Sequence, residues 1–348
     1  MKRVLLTGVG GFIGSHCLSY FIENTDWEII GIDSFRHKGD LGRLVDIDFK
    51  NRVKILYHDL SLPINDSLYN QITDLRVDER GNLNRKKINY IINMAADSAV
   101  ERSTQDPVSC LRNNYELGIN MLEFARKTKP EKFVQISTDE VYGEASEGSP
   151  GHHEWDVILP SNPYAASKAA QEAVAISYWR SFGVPVIITN TMNIIGEYQD
   201  PEKFLPKIIQ KISLNQEMPI YGDSLDSIGK RVYLDAKNKA DALIYILKQP
   251  VAMYKDGAKR PDRWNICGDT ELNNLELAEM VAKIMNKELK YKLIPSESAR
   301  PGYDRRYALD GSKLRQAGWK QPYTFQQTLE RVVHWSVNNP EWIHGYGS

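Results

Sequence analysis

Two short stretches bring together residue types that move protons. In "QISTDEVYG" (135–143) two adjacent carboxylates, Asp139 and Glu140, follow an apolar run that reads as a buried strand. In "NPYAASKAA" (162–170) the Asn162-Pro163 pair marks a helix start, so Tyr164 and Lys168, four residues apart, share one helix face. Adjacent acids at a strand end are either a solvated capping cluster or a proton-transfer pair in which one carboxyl stays protonated beside the other. A tyrosine, with an ordinary pKa near 10, serves as a base near neutrality only if its phenolate is stabilised by about 4 kcal/mol, part of which a neighbouring ammonium supplies. Tyr-x-x-x-Lys also occurs on surface helices that do no chemistry, so its meaning depends on the elements around it.

Those elements are legible as apolar runs. "KRVLLT", "WEIIGID", "VKILYHD", "INYIINMA", "KFVQIST" and "VPVIITNT" alternate with helical patterns, and "TDE" follows the fifth run directly. Continuous apolar strands separated by helices predict a parallel sheet covered on both faces: a doubly wound, Rossmann-type α/β fold with right-handed crossovers. After about Asn193 the alternation weakens, and "MPIY" and "RWNIC" mix with the helical "NNLELAEMVAKIMN" and "TFQQTLERVVHWSVN". The expected division is a dinucleotide-binding domain with the catalytic residues over 1–192, then a smaller mixed α/β substrate-binding lobe over 193–348, with some chain returning to the first domain. Between 61 and 87, "RVDERGNLNRKK" carries charge without periodicity and reads as an exposed excursion.

The first turn carries the cofactor signal. "TGVGGFIG" sets Gly8, Gly11 and Gly14 between the first strand and its helix, where missing side chains let a pyrophosphate approach the helix N-terminus. Asp33 closes the second strand 19 residues after Gly14, a spacing suited to a ribose 2′-hydroxyl and unfavourable to a 2′-phosphate. NAD is therefore expected over NADP, although Arg36, His37 and Lys38 follow closely and would accommodate a phosphate if they turned inward. Asp59 and Leu60, after the third strand, sit either at an adenine edge or at a capped strand-to-loop junction.

The composition narrows the partners. Lys plus Arg (44) nearly equals Asp plus Glu (45), so no global field draws in nucleic acid or an anionic membrane. Cys17, Cys110 and Cys267 are scattered and odd in number, and the His152-His153 pair has no cysteine at ligand spacing. Neither a disulfide framework nor a metal site is expected. No apolar run approaches the roughly 18 residues of a membrane span, and glycines interrupt the apolar opening. A cytoplasmic protein is expected.

Taken together, the glycine turn, Asp33, Tyr164 and Lys168 resemble the extended short-chain dehydrogenase/reductase superfamily over nearly the whole chain. "STDEVYG", "PEKFLPKII" and "RPGYDRRYALD" resemble nucleotide-sugar 4,6-dehydratases, in particular the dTDP-glucose 4,6-dehydratase family. The resemblance implies a hydro-lyase with tightly bound NAD that converts a dTDP- or UDP-linked glucose-type sugar to its 4-keto-6-deoxy form. Within it Glu140 is the base at C5, Asp139 the acid at the leaving C6 hydroxyl, Thr138 a hydrogen-bonding group near the C4 oxygen, and Tyr164 with Lys168 the acceptor of the C4 hydroxyl proton. Cofactor positions are Gly8, Gly11, Phe12, Ile13, Gly14, Asp33, Ser34, Asp59, Leu60, Ala95 and Ala96, with Tyr164 and Lys168. Substrate positions are Asn193, Glu202, Lys203, Arg231, Asn274, Arg300 and Tyr303. Arg305 and Arg306 are further candidates for phosphate oxygens. The resemblance also suggests a homodimer through helices near 105–128 and 162–181.

The sequence departs from that pattern in places. Asp97 stands for a glutamate and Ala99 for a histidine in "AADSA", Asn238 for an aspartate, and Tyr303 for a histidine, all expected on the nucleotide or sugar side. Two rivals share the cofactor turn: a C4 epimerase, which has no need of Asp139 and Glu140, and a decarboxylase of nucleotide-linked uronic acids. A non-catalytic nucleotide-sensing protein of the same fold is the alternative from another class.

Overall fold

The computed structural model describes residues 1–298 and 302–344. Its first half alternates as predicted: β1 (Arg3–Thr7), α1 (Phe12–Asn24), β2 (Glu28–Asp33), β3 (Val53–Tyr57), α2 (Asp66–Ile72), the two-residue strands β4 (Arg76–Val77) and β5 (Leu83–Asn84), and β6 (Tyr90–Asn93). There follow α3 (Val100–Gln105), α4 (Pro107–Thr128), β7 (Lys132–Ile136), α5 (Pro163–Phe182) and β8 (Val186–Thr191). The second half runs through β9 (Asn193–Ile195), α6 (Phe204–Ser213), β10 (Met218–Tyr221), β11 (Lys230–Asp235), α7 (Ala236–Lys248), β12 (Asp262–Ile266) and β13 (Glu271–Asn273). It ends with α8 (Asn274–Ile284), β14 (Tyr291–Ile294), β15 (Arg306–Tyr307), α9 (Ser312–Gln316), α10 (Phe325–Asn338) and α11 (Pro340–His344).

The main sheet has seven strands in the order β12-β8-β7-β6-β1-β2-β3, all parallel. Every residue of β1, β7 and β8 is buried, as strands packed on both faces must be. One face meets α1 and α7 through Leu18, Phe21, Leu243 and Leu247. The other meets α2, α4 and α5 through Leu68, Leu117, Met121 and Trp179. From β1 the strand order runs outward to β2 and β3 on one side and to β6 on the other. The chain therefore changes direction between β1 and β6, and their carboxyl ends open the crevice where ligands of such sheets bind.

A third core, with Leu205, Ile208, Leu277, Val281, Leu329 and Val333, holds the C-terminal lobe together. Two elements from beyond residue 193 join the first three layers: α7 packs beside α1, and β12 completes the main sheet against β8. The 61–87 excursion contains a helix that its polarity conceals. α2 buries only Leu68 and Ile72 and is capped by Asn65, whose side chain accepts from the Leu68 N–H at 2.9 Å. Among the described residues no helix is long and apolar enough to cross a membrane.

Candidate active site

The loops at the carboxyl ends of the sheet enclose one cleft, with the glycine turn at one end and Tyr303 at the other. Gly8 leaves β1 with φ +75°, and a Cβ there would stand 3.0 Å from the Ala95 Cα. Gly14 packs so closely beneath it that a Cβ would reach to 1.9 Å from the Gly8 carbonyl oxygen. α1 then begins at Phe12 with no side-chain cap and no acid in its first turn, so its N-terminal dipole faces the cleft uncompensated. Asp33, almost fully buried, accepts from the N–H groups of Gly10 (2.8 Å) and Phe35 (2.7 Å) and lines the same wall as Ser34, Leu60, Ala95 and Ala96. A glycine cradle, an open helix terminus and a carboxylate on the next strand fit a dinucleotide.

The cations after Asp33 are already matched. Arg36 pairs with Asp59 at 2.8 Å and Lys38 with Glu202 at 2.7 Å, while His37 Nδ1 accepts from Arg102 and burial lowers its pKa, so it carries no charge to match. No free charge there is reserved for a 2′-phosphate. Asp59 also accepts from Ser61 N and Oγ at 3.0 and 2.7 Å, so it caps the junction while lining the cleft.

The acid pair sits in a turn just beyond β7. Thr138 Oγ1 donates to Asp139 Oδ1 at 2.9 Å, and the Glu140 N–H donates to the same oxygen at 3.0 Å. Asp139 Oδ2 is buried and has no hydrogen-bond partner among the described residues; Ser137 Oγ and Asn193 Nδ2, on the same cleft wall, share that condition. Burial first, and then the Glu140 carboxylate, push the Asp139 carboxyl up to about 7. Glu140 is partly exposed and is held from the side by Asn162, whose Nδ2 donates to its Oε2 at 2.8 Å. The pair is thus asymmetric, a dry acid beside a tethered and wetter carboxylate.

Tyr164 and Lys168 line the cleft from one face of α5. Burial, followed by the charges of Glu140 and Asp139, pushes the Tyr164 phenol well above its ordinary range. Burial also lowers the Lys168 ammonium to about 7. Both shifts disfavour the phenolate, so positive charge must be brought beside Tyr164 before it can act as a base.

At the far end, Arg231 is buried and has no carboxylate partner among the described residues. Its guanidinium donates to the carbonyls of Lys230, Arg305 and Asp304 at 2.7 to 2.8 Å and lies between the rings of Tyr307 (4.4 Å) and Tyr303 (5.3 Å). Three of its five N–H donors are spent and the rest remain for an anion. Asn274, on the same wall, reaches the Tyr303 hydroxyl at 3.5 Å. Lys203 and Asn193 line the cleft, whereas Glu202 stands at the mouth, paired with Lys38.

Arg306 differs from the sequence expectation. Its donors are taken by Glu271, Ser146 and Ser149, so it braces a loop and has nothing left for phosphate. Arg305 is exposed, and Arg300 lies outside the described residues. Three of the departures also sit away from the cleft wall, among them Ala99, which is buried between the lining residues Ser98 and Val100. Asp97 turns to Arg102 and His37, while Asn238 pairs with both backbone groups of Tyr323 at 2.7 and 3.0 Å. Sequence reasoning missed the side-chain role of Asn162, visible only as a helix cap, and the polar residues beneath the floor, which carry no local motif.

A parallel sheet with a dinucleotide cradle at its switch point, and a Tyr–Lys helix beside it, defines a nicotinamide-dependent enzyme of the short-chain dehydrogenase/reductase type. The chain belongs to the NAD dependent epimerase/dehydratase family, whose model matches residues 4–267. It is 31% identical to the dTDP-glucose 4,6-dehydratase of Salmonella typhimurium, over 99% of this chain and 96% of that one. It is 32% identical to the trifunctional UDP-glucose 4,6-dehydratase/UDP-4-keto-6-deoxy-D-glucose 3,5-epimerase/UDP-4-keto-L-rhamnose-reductase of Arabidopsis thaliana, over 98% of this chain and 48% of that longer protein. Among solved structures it is similar to the dTDP-glucose 4,6-dehydratase of Streptomyces venezuelae with NAD bound, at 27% identity and a TM-score of 0.82, covering 99% of each chain.

Proposed function

We propose that the protein is an NAD-dependent nucleoside-diphosphate-hexose 4,6-dehydratase that forms a 4-keto-6-deoxy sugar. The observation that carries this reading is the asymmetric acid pair: Asp139, buried with a free Oδ2 and a carboxyl at about 7, beside Glu140, tethered by Asn162. Oxidation at C4 alone, as in an epimerase, needs neither group.

Bound NAD, held by the glycine turn, Asp33 and the α1 terminus, supplies a hydride acceptor for C4 and a hydride donor for C6, so it leaves each turnover unchanged. Tyr164 takes the C4 hydroxyl proton as a phenolate, a form that the charge of Lys168 on the same helix face and of an oxidised nicotinamide beside it would stabilise after the phenol proton is released to solvent. Thr138 hydrogen-bonds the C4 oxygen. Once C4 is a ketone the C5 hydrogen is acidic; Glu140 removes it and, once C6 has received hydride, returns a solvent-exchanged proton to C5. Asp139, kept protonated by burial and by its charged neighbour, gives its proton to the C6 hydroxyl as water departs. Arg231 meets the diphosphate with its remaining donors, alongside Asn274, Lys203 and Tyr303.

The substrate carries dTDP or UDP on a glucose-type sugar. The assembly included in this reading is a homodimer through α4 and α5, where Val108, Leu111 and Tyr115 stand exposed along α4. A reducing compartment such as the cytoplasm suits three free, buried cysteines.

The test is incubation with dTDP-glucose, UDP-glucose and UDP-N-acetylglucosamine separately in deuterated water, followed by mass spectrometry. A product lighter by one water and carrying one deuterium is expected from at least one of them. An isomer with no loss of water makes the protein an epimerase and removes the reading.

A further inference from the structure

Beneath the cleft floor a chain of buried side chains runs from the cofactor end to Lys168. Thr7 Oγ1 accepts from the N–H groups of Met94 (2.9 Å) and Ala95 (3.0 Å), so its hydroxyl must donate, and it does so to Asn93 Oδ1 at 3.1 Å. That fixes the Asn93 amide, whose Nδ2 donates to Gln135 Oε1 at 3.0 Å. Gln135 Nε2 in turn donates to Gln171 Oε1, also at 3.0 Å. At the far end Gln171 Nε2 donates to the Asn114 carbonyl at 2.6 Å, and its Oε1 accepts from Lys168 Nζ at 2.6 Å. Thr7, Asn93, Gln135 and Gln171 are at most 1% exposed.

An amide is free to flip unless its network forbids it, and here both ends forbid it. Two backbone N–H groups set the direction at Thr7 and a backbone carbonyl sets it at Asn114. The Gln171 oxygen is thereby turned toward Lys168 and cannot exchange places with its nitrogen without breaking the chain.

We propose that Gln171 is the positioning residue of Lys168: it fixes the ammonium by a neutral oxygen, with no carboxylate of the described residues bonded to it directly, on the helix face that Lys168 shares with Tyr164. The groups around Lys168 agree with this. From α5, the Glu172 carboxylate favours the ammonium from a distance, but its oxygens are bonded to Arg263 at 2.5 Å and Asn190 at 2.9 Å. From α7, Lys239 is fully buried, donates to Thr191 and adds a like charge. From α4, Cys110 is a protonated thiol pushed up to about 11. Tyr164, on the same face of α5, completes the set. A carboxylate in place of the Gln171 amide would cancel the charge on which the proton transfer draws; an apolar side chain would remove the ammonium's acceptor while leaving it buried.

The proposal rests on Tyr164 and Lys168 acting together, so its test has one arm that needs no substrate. Lysines labelled at the ε carbon are titrated by NMR in the holoenzyme, with the Lys168 signal assigned by its loss in Lys168→Met. Gln171→Glu is expected to raise the Lys168 midpoint by about one pH unit or more, and Gln171→Leu to lower it by a similar amount. With the substrate identified by the deuterium experiment, both variants are expected to lose kcat by about tenfold or more at unchanged KM, and the alkaline limb of kcat is expected to move with the NMR midpoint. If the leucine variant does not fold, the glutamate variant, which matches the native side chain in size, reads the midpoint alone. A Lys168 midpoint that stays at its native value in the folded variants overturns the proposal, whatever the activity. A shifted midpoint in a protein that dehydrates no sugar upholds Gln171 and refutes the dehydratase reading.

Discussion

Asn162 serves two masters at once: its Oδ1 accepts from the Ala165 N–H at 2.9 Å and starts α5, while its Nδ2 donates to Glu140 Oε2 at 2.8 Å. The helix that presents Tyr164 and Lys168 and the carboxylate assigned to C5 are therefore set by one side chain. Replacing it separates the roles. Asn162→Ser keeps an N-cap oxygen but is too short to hold Glu140, so Tm is expected within a few degrees of native while kcat falls about tenfold. Asn162→Ala loses the cap as well, at about 1 kcal/mol of further stability. Thermal melts and initial rates on the two variants check this.

Glu140→Gln leaves the oxidation at C4 possible and removes the base at C5. The variant is expected to accumulate reduced nicotinamide on mixing with substrate, seen by its absorbance, with neither water loss nor deuterium at C5. Full dehydration by this variant would take Glu140 out of its role.

Asp139 gives a stability prediction whose sign runs against the usual carboxylate. Its folded pKa, about 7, lies above the ordinary 3.8, so the native state holds a proton there that the unfolded chain has lost. Stability from this group is complete below pH 3.8, declines as pH rises toward 7, and is gone above it. The full swing is roughly 4 kcal/mol, an upper bound because water in the cleft screens the charge. Asp139→Asn is never charged, so it is expected to melt higher than native at pH 8, to converge with it near pH 4, and to lose dehydration. Melting curves across that range decide it.

Arg231 has no acid to release when an anion arrives. Arg231→Met is expected to raise KM for the nucleotide sugar about 10- to 100-fold, the worth of one or two charge-assisted bonds, with a smaller effect on kcat. Titration of the variant with free nucleoside diphosphate should show the same loss of affinity.

The sequence carried what is written locally. Strands buried on both faces are continuous apolar runs, so six strands of the parallel sheet and the position of Asp139 just beyond β7 were readable from residue type, whereas β12, read from sequence as part of the C-terminal lobe, joins that sheet beside β8. The glycine turn was readable because Gly8 and Gly14 have no tolerable substitute at their spacing. What stayed hidden depends on partners far along the chain. α2 buries two side chains in a polar stretch, too few to register as a period. Arg306 looked available until Glu271 and Ser149 came to it in space. Gln171 has no motif, and its oxygen faces Lys168 only because Thr7, 164 positions earlier, points the chain that way.

The late arrival of β12 has a consequence for biogenesis. Until synthesis has passed Ile266, β8 is the border of a six-stranded sheet whose outer ladder of N–H and C=O groups is open, ready to capture any extended segment nearby. The α7 surface that shields α1 also emerges only after Ala236. The N-terminal 192 residues made alone would therefore be a sticky fragment rather than a smaller enzyme, and the nascent polypeptide should depend on chaperones over that interval.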